Sequence, residues 1–181
     1  PAGRGANNGN SRTSQRWARL LRQLGHTVSI QLEWDSTDAD LMLALHARRS
    51  HASIERYARL HPTHPLIVTL TGTDVYRDIQ HDAQAQASLR LATRLIVLQD
   101  MALRELTPAL RTKADVVYQS ARPLARKPPL QRSFEVLVIG HLREEKDPLR
   151  AALSLHHLPG AIRVTHVGKD LDAALAHQAT A

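Results

Sequence analysis

The strongest constraint on the fold is an alternation of short apolar segments with longer amphipathic ones. The apolar segments predict strands at 27–31, 41–46, 66–70, 94–98 and 115–118. Between them, helical patterns lie around 54–60, 83–91 and 101–106, and an earlier helix has its apolar stripe at Trp17, Leu20, Leu21 and Leu24. Because parallel strands joined by helices form a sheet covered on both faces, residues 1–120 are predicted to form a Rossmann-like α/β domain.

A proline-rich break ends this alternation. Pro123, Pro128 and Pro129 stand among arginines and lysines without periodicity, so residues 121–133 are predicted to be a linker. Strands at 134–140 and 162–167, with helices at 148–158 and 171–179, then begin a second Rossmann-like unit over 134–181. Two strands are too few for an independent sheet. We therefore expect this second domain to be incomplete, and the first domain to lack the strand that would precede its opening glycine-rich loop.

The net charge of the chain indicates which kinds of partner it can bind. Among the 181 residues, 24 Lys and Arg face 17 Asp and Glu, so the net charge of +7 favours anionic partners such as nucleotides or phosphates. No cysteine is present, and no apolar run approaches the ~20 residues of a membrane span. We expect a cytoplasmic protein that does not bind a membrane. The histidine pairs His61-x-x-His64 and His156-His157 lack carboxylates at ligand spacing, so no metal site is expected.

Two basic segments could hold an anion. Gly9, Asn10 and Arg12 lead into the first helix, where backbone N–H groups and the helix dipole favour negative charge. Arg48 and Arg49 follow a predicted strand, at the carboxyl edge of the sheet where open α/β folds bind ligands. A flexible loop and ordinary surface charge are the alternative interpretations.

The segment Thr71-Gly72-Thr73-Asp74 follows another predicted strand. A glycine, two hydroxyls and a carboxylate at this edge can hydrogen-bond a substrate. The alternative is a turn followed by a helix capped by Thr73 or Asp74, and both roles are compatible.

The segment 140–148, Gly-His-Leu-Arg-Glu-Glu-Lys-Asp-Pro, follows the first strand of the second unit. Arg143 and Lys146, three residues apart, suit the diphosphate of a nucleotide sugar, whose developing charge is the main catalytic problem in sugar transfer. A mixed-charge loop with weak local ion pairs is the structural alternative.

These residues resemble a known family. The 140–148 segment is similar to the Gly-Arg-Leu-x-x-x-Lys-Gly loop that opens the carboxyl domain of GT4-type retaining glycosyltransferases, whose GT-B fold has two Rossmann-like domains; here His141 replaces the usual Arg and Asp147 the usual Gly. The resemblance implies that Gly140, His141, Arg143 and Lys146 bind the donor diphosphate. Segments 9–13, 16–21, 44–50, 70–79, 97–99 and 119–121 further resemble the selenosugar synthase family of selenoneine biosynthesis.

That family transfers a sugar from a UDP-sugar to selenophosphate, forming a carbon–selenium bond and releasing UDP without a cofactor. The resemblance therefore implies an enzyme with UDP-sugar and selenophosphate as substrates. Its catalytic residues are expected to be Arg143, Lys146 and Asp74, and its acceptor-binding residues are expected to be Gly9, Asn10, Arg12, Arg48, Arg49, Thr71, Gly72 and Thr73.

Two alternatives stay open. One is an ordinary GT4-type transferase with a hydroxyl acceptor. The other is a basic nucleic-acid-binding module, which the sequence disfavours because the arginines are not interleaved with aromatic residues. We expect no nucleic-acid partner; the oligomeric state and the preferred sugar are not indicated.

Overall fold

The computed structural model describes residues 9–125, 134–158 and 162–180. Their contacts divide the chain between Arg122 and Pro123 into two compact units. The predicted glycine-rich opening up to residue 8 and the linker from 126 to 133 lie outside the described residues.

The first unit is a mixed α/β fold around a parallel four-stranded sheet, consistent with a Rossmann-like arrangement. The strands pair in the order β1-β2-β3-β4, and every pair is parallel. The strands are β1 (Met42–Leu45), β2 (Leu66–Leu70), β3 (Arg94–Val97) and β4 (Ala114–Val116). The helices are α1 (Gly9–Gln23), α2 (His51–Leu60), a π-helix (Asp74–Asp78), α3 (Ile79–His81), α4 (Ala83–Leu91), a 3-10 helix (Asp100–Glu105) and α5 (Pro108–Arg111).

The core of this unit lies on β2 and β3. Leu66, Val68 and Leu70 of β2 are buried, as are Leu95 and Val97 of β3. An interior strand of a covered parallel sheet reads as a continuous apolar run, and this is why these two strands are evident in the sequence. Because β2 and β3 are buried, the loops that follow their carboxyl ends start from a fixed position.

The second unit contains a parallel pair, β5 (Phe134–Ile139) and β6 (Ile162–Val167). A 3-10 helix (Glu144–Lys146), α6 (Arg150–Leu153), another 3-10 helix (Ser154–His157) and α7 (Ala173–Thr180) complete its described elements. Alternate residues of β5 are well exposed, among them Leu137 at 57% and Ile139 at 77%. One face of this small sheet is therefore uncovered within the described residues.

Most predicted elements are present, with three differences. The predicted strand at 27–31 is wrong: the segment is irregular, Ile30 is exposed, and β1 pairs with β2 but with no strand from this segment. The helix predicted at 101–106 is a 3-10 helix, and the one predicted at 148–158 is divided into α6 and a 3-10 helix. In the latter, Ser154 donates its hydroxyl to the carbonyl of Arg150, a bond that competes with regular helix geometry.

Candidate functional site

Three loops of the first unit meet at the carboxyl edge of the sheet. Because β1, β2 and β3 are parallel and in register, the residues that follow them lie side by side. A small cavity of about 180 Å³ opens between the loops after β2 and β3. Its lining includes Leu70, Thr71, Gly72, Val75, Tyr76, Leu98, Gln99 and Ala102. The side-chain amide of Gln99 donates to the Tyr76 hydroxyl across this cavity.

Asp74 organises the loop after β2. Its carboxylate has no solvent exposure, and its Oδ1 accepts hydrogen bonds from the backbone N–H groups of Thr71 (2.9 Å), Gly72 (2.8 Å) and Val75 (3.1 Å). Its Oδ2 accepts from the backbone N–H of Ala47 at 3.1 Å. The buried carboxylate thus joins the loops after β1 and β2. This geometry favours a positioning role, and the catalytic role expected for Asp74 stays a prediction.

Gly72 allows the turn that Asp74 holds. Its φ is +141°, a conformation that a side chain rarely adopts, although a Cβ there would meet no atom within 4 Å. The glycine is therefore needed for its backbone conformation and leaves open space beside it. Thr71 and Thr73 on either side are half-buried, so their side chains keep some access to solvent.

His46 is the central side chain between these loops. It follows β1 at φ +79°, is 2% exposed, and its ring reaches Thr73, with Nε2 3.3 Å from Oγ1. Burial lowers the pKa of His46, and although the charges of Asp74 and Asp78 act in the opposite direction, the ring is kept neutral at physiological pH. The sequence indicated the segment but not this buried position.

Arg48 and Asp78 form an ion pair at the rim. Arg48 Nε lies 2.9 Å from Asp78 Oδ2, and the Arg48 side chain is 39% exposed whereas Asp78 is buried. Burial alone would raise the pKa of Asp78, but the hydrogen bond and charge of Arg48 outweigh it and hold that pKa below its usual range. Arg49 is exposed beside it. Of the two arginines, Arg48 is therefore held in place by its ion pair with Asp78.

The first helix begins earlier than predicted. Gly9 and Asn10 lie in the first turn of α1 rather than in a loop, and Arg12 follows them on the exposed side of the helix. Further along α1, Thr13 Oγ1 accepts from Gln119 Nε2 at 3.0 Å, and Arg16 Nε donates to Ser120 Oγ at 2.7 Å. These bonds join α1 to the segment after β4. That Arg12 shares a ligand with Arg48 and Arg49 stays a prediction.

In the second unit, the 140–148 segment leaves β5 at the carboxyl edge. The backbone N–H of Gly140 donates to Val167 O at 3.0 Å, and His141 Nδ1 accepts from the backbone N–H of Lys169 at 3.0 Å. Arg143 and Lys146 are exposed, and neither forms an ion pair with a side chain that the structure describes. Both cations are thus presented to solvent by a loop fixed to β6.

The glycine that this loop requires is Gly168. A Cβ at Gly168 would lie 1.7 Å from the carbonyl oxygen of Gly140, whereas a Cβ at Gly140 would meet nothing within 4 Å. The two backbones approach too closely for any side chain at 168. The sequence indicates Gly140 but not Gly168, whose only signal is its position directly after a predicted strand.

Within residues 9–125, 134–158 and 162–180, no group of three or more His, Asp or Glu side chains is arranged to hold a metal ion. No helix in those ranges has both the length and the apolar character needed to cross a bilayer.

Asp78 and Gln99 are candidate site residues that the sequence does not indicate. Each lies in a segment that shares the family resemblance, but only the fold brings Asp78 to Arg48 and Gln99 to Tyr76.

A comparison of the chain with protein-family models found no match, and a comparison with curated proteins found none either.

Proposed function

We propose that this chain belongs to a GT-B glycosyltransferase that transfers a sugar from a UDP-sugar to selenophosphate and forms a selenosugar. The observation that carries the proposal is the loop after β5, which exposes Arg143 and Lys146 without an ion pair to a described side chain. Cations that lack internal partners suit a ligand of high negative charge. A nucleoside diphosphate is such a ligand, and it is the leaving group of this reaction.

The proposed role of the second unit is to bind the donor diphosphate. As the bond between the sugar C1 and the UDP oxygen breaks, the electron pair passes to the diphosphate, and Arg143 and Lys146 stabilise the added charge. The loop is held by backbone bonds to β6 and to Lys169 and by the close contact of Gly140 with Gly168, so the backbone that carries the two cations is fixed at this edge. No metal or cofactor is part of the proposal.

The proposed role of the first unit is to bind the acceptor. Selenophosphate is an anion whose selenium supplies the electron pair of the new carbon–selenium bond, so it needs no base to remove a proton. The first product keeps the phosphoryl group on selenium, and cleavage of the Se–P bond by water then releases phosphate and gives the selenosugar. The edge formed by Arg48, Arg49 and the Thr71–Asp74 loop supports this assignment because its cations and hydroxyls can donate to oxyanions. Asp74 positions the loop, since its carboxylate is already engaged by four backbone N–H groups.

The test is UDP release by the full chain incubated with UDP-sugars. We expect release to require selenophosphate and not to occur with glycerol or glucose as hydroxyl acceptors. Release that is equally fast with a hydroxyl acceptor would instead support an ordinary GT4-type transferase. Release of no UDP under any of these conditions would contradict the proposal as a whole.

A further inference from the structure

The hydrogen-bond donors around His46 determine which of its ring nitrogens carries the proton. His46 Nδ1 lies 3.4 Å from the backbone nitrogen of Arg49, and a backbone N–H can only donate. Nδ1 must therefore be the acceptor, and in the neutral ring the proton is on Nε2. The distance of 3.8 Å from Nδ1 to Asp74 Oδ2 is too long for a competing hydrogen bond.

This tautomer fixes the direction of the next hydrogen bond. With its proton on Nε2, His46 donates to Thr73 Oγ1 at 3.3 Å. A hydroxyl has one proton to donate, so the proton of Thr73 must point away from His46. Although Thr73 precedes the π-helix, its side chain makes no capping hydrogen bond. The hydroxyl proton of this half-buried residue is thus available to a ligand.

The polar atoms around Thr73 leave the site with donors and few acceptors. Both oxygens of Asp74 are engaged by backbone N–H groups, and Asp78 is paired with Arg48. Thr73 is half-buried, the Arg48 side chain is 39% exposed and Arg49 is exposed, so the donors of this edge with access to solvent are the Thr73 hydroxyl, the Arg49 guanidinium and the Arg48 N–H groups that Asp78 does not engage. A ligand that only accepts hydrogen bonds fits this set, whereas a sugar hydroxyl that must give up a proton meets two carboxylates, Asp74 and Asp78, that are already engaged.

We propose that His46 is a positioning residue that sets the acceptor specificity of the site, because its Nε2–H holds the Thr73 hydroxyl as a donor to an oxyanion. The inference rests on the proposed acceptor role of this edge and deepens it, since it names the residue that sets the hydrogen-bond direction by which the edge selects a tetrahedral oxyanion of the phosphate class. His46 does not touch the ligand. It acts through Thr73.

The test is the affinity of the full chain for inorganic phosphate, measured by titration calorimetry and by amide chemical shifts. We expect Thr73→Val, which keeps the shape and removes the hydroxyl, to weaken phosphate binding about tenfold, as for the loss of one hydrogen bond to a charged group. Thr73→Ser should restore affinity to within about twofold of wild type. His26→Asn, an exposed histidine change, is the matched control and should bind as wild type does.

His46→Asn tests the positioning step. Asn tolerates the positive φ at this position but is shorter, so it does not hold Thr73. We expect it to weaken phosphate binding about tenfold, and the double variant with Thr73→Val to bind no more weakly than Thr73→Val alone, because both changes remove the same donor. Circular dichroism shows whether each variant is folded. If His46→Asn is not folded, wild-type binding by Thr73→Val still overturns the inference.

Wild-type affinity retained in Thr73→Val would overturn the inference. Additive losses in the double variant, or no phosphate binding by the wild type at millimolar concentration, would overturn it as well. The titration needs no UDP-sugar, so the two proposals fail separately. If UDP release requires selenophosphate but Thr73→Val binds phosphate normally, this inference is wrong and the transferase proposal stands; the reverse pattern would leave an anion site on a protein with another activity.

Discussion

Replacing Asp74 with asparagine tests whether this carboxylate holds the loop at the candidate site. In Asp74→Asn, the amide oxygen can take the place of Oδ1 and accept from the backbone N–H groups of Thr71, Gly72 and Val75. The amide NH₂ then faces the backbone N–H of Ala47, which lies 3.1 Å from Oδ2 in the wild type, so one donor meets another. The variant loses one charge-assisted bond, leaves a buried donor unpaired and weakens the other three bonds, at a cost of about 2–4 kcal/mol.

The assay is thermal unfolding followed by circular dichroism, in which this loss should lower the melting temperature by on the order of 10 °C. Asp82→Asn is the matched control: Asp82 Oδ1 accepts one hydrogen bond, from Ala85 N at the start of α4, and Asn caps a helix about as well as Asp. The control should melt within about 2 °C of wild type. If Asp74→Asn also melts there but loses all UDP release, Asp74 acts on the substrate and the positioning role is wrong.

Three further predictions concern the glycine contact, the buried histidine and the donor loop. Gly168→Ala should destabilise the second unit by about 1–3 kcal/mol or more, measured by hydrogen exchange of β5 and β6 amides, whereas Gly140→Ala should leave that exchange unchanged; equal protection in both would contradict the close contact. The pKa of His46 lies below its ordinary value of 6.5, so just below pH 6.5 the unfolded chain binds more protons than the folded one, and the free energy of unfolding should fall as the pH drops from about 6.5. Urea titrations at several pH values should show that His46→Asn reduces this dependence of stability on pH. An unchanged dependence would refute a neutral His46. Arg143→Ala should slow UDP release about a hundredfold with little change in melting temperature, while Arg163→Ala, an exposed change in the same unit, should do neither; a large stability loss in Arg143→Ala would favour a structural role.

The sequence predicted the fold best where local pattern and burial agree. The strand at 66–70 and the helix at 83–91 were predicted with the bounds that the structure has, because an apolar interior strand and an N-capped helix are both local signals. The false strand at 27–31 alternates polar and apolar residues, as a half-buried strand does, but it has no neighbouring strand to pair with in the described sheet. Pairing is a long-range property that periodicity does not contain.

The sequence indicates which segments form the candidate site, but not how their side chains are arranged there. The order of strands and loops placed 46–49 and 71–74 at one edge, and the hydrogen bond between Asp74 and Ala47 joins these two segments there. That His46 is buried at a positive φ, and that Asp78 pairs with Arg48, depend on the conformation of the turn after β1 and on a π-helix. Neither has a distinctive residue pattern, so only the structure reveals them.

The most direct test of the central claim is to identify the bond that the reaction forms. A UDP-sugar labelled with ¹³C at the anomeric carbon would be incubated with the protein and selenophosphate, and the product examined by ⁷⁷Se and ¹³C NMR. We predict a one-bond coupling between selenium and the labelled carbon, together with released UDP. A labelled carbon bonded to oxygen, as a free sugar or an ordinary glycoside, would contradict the account.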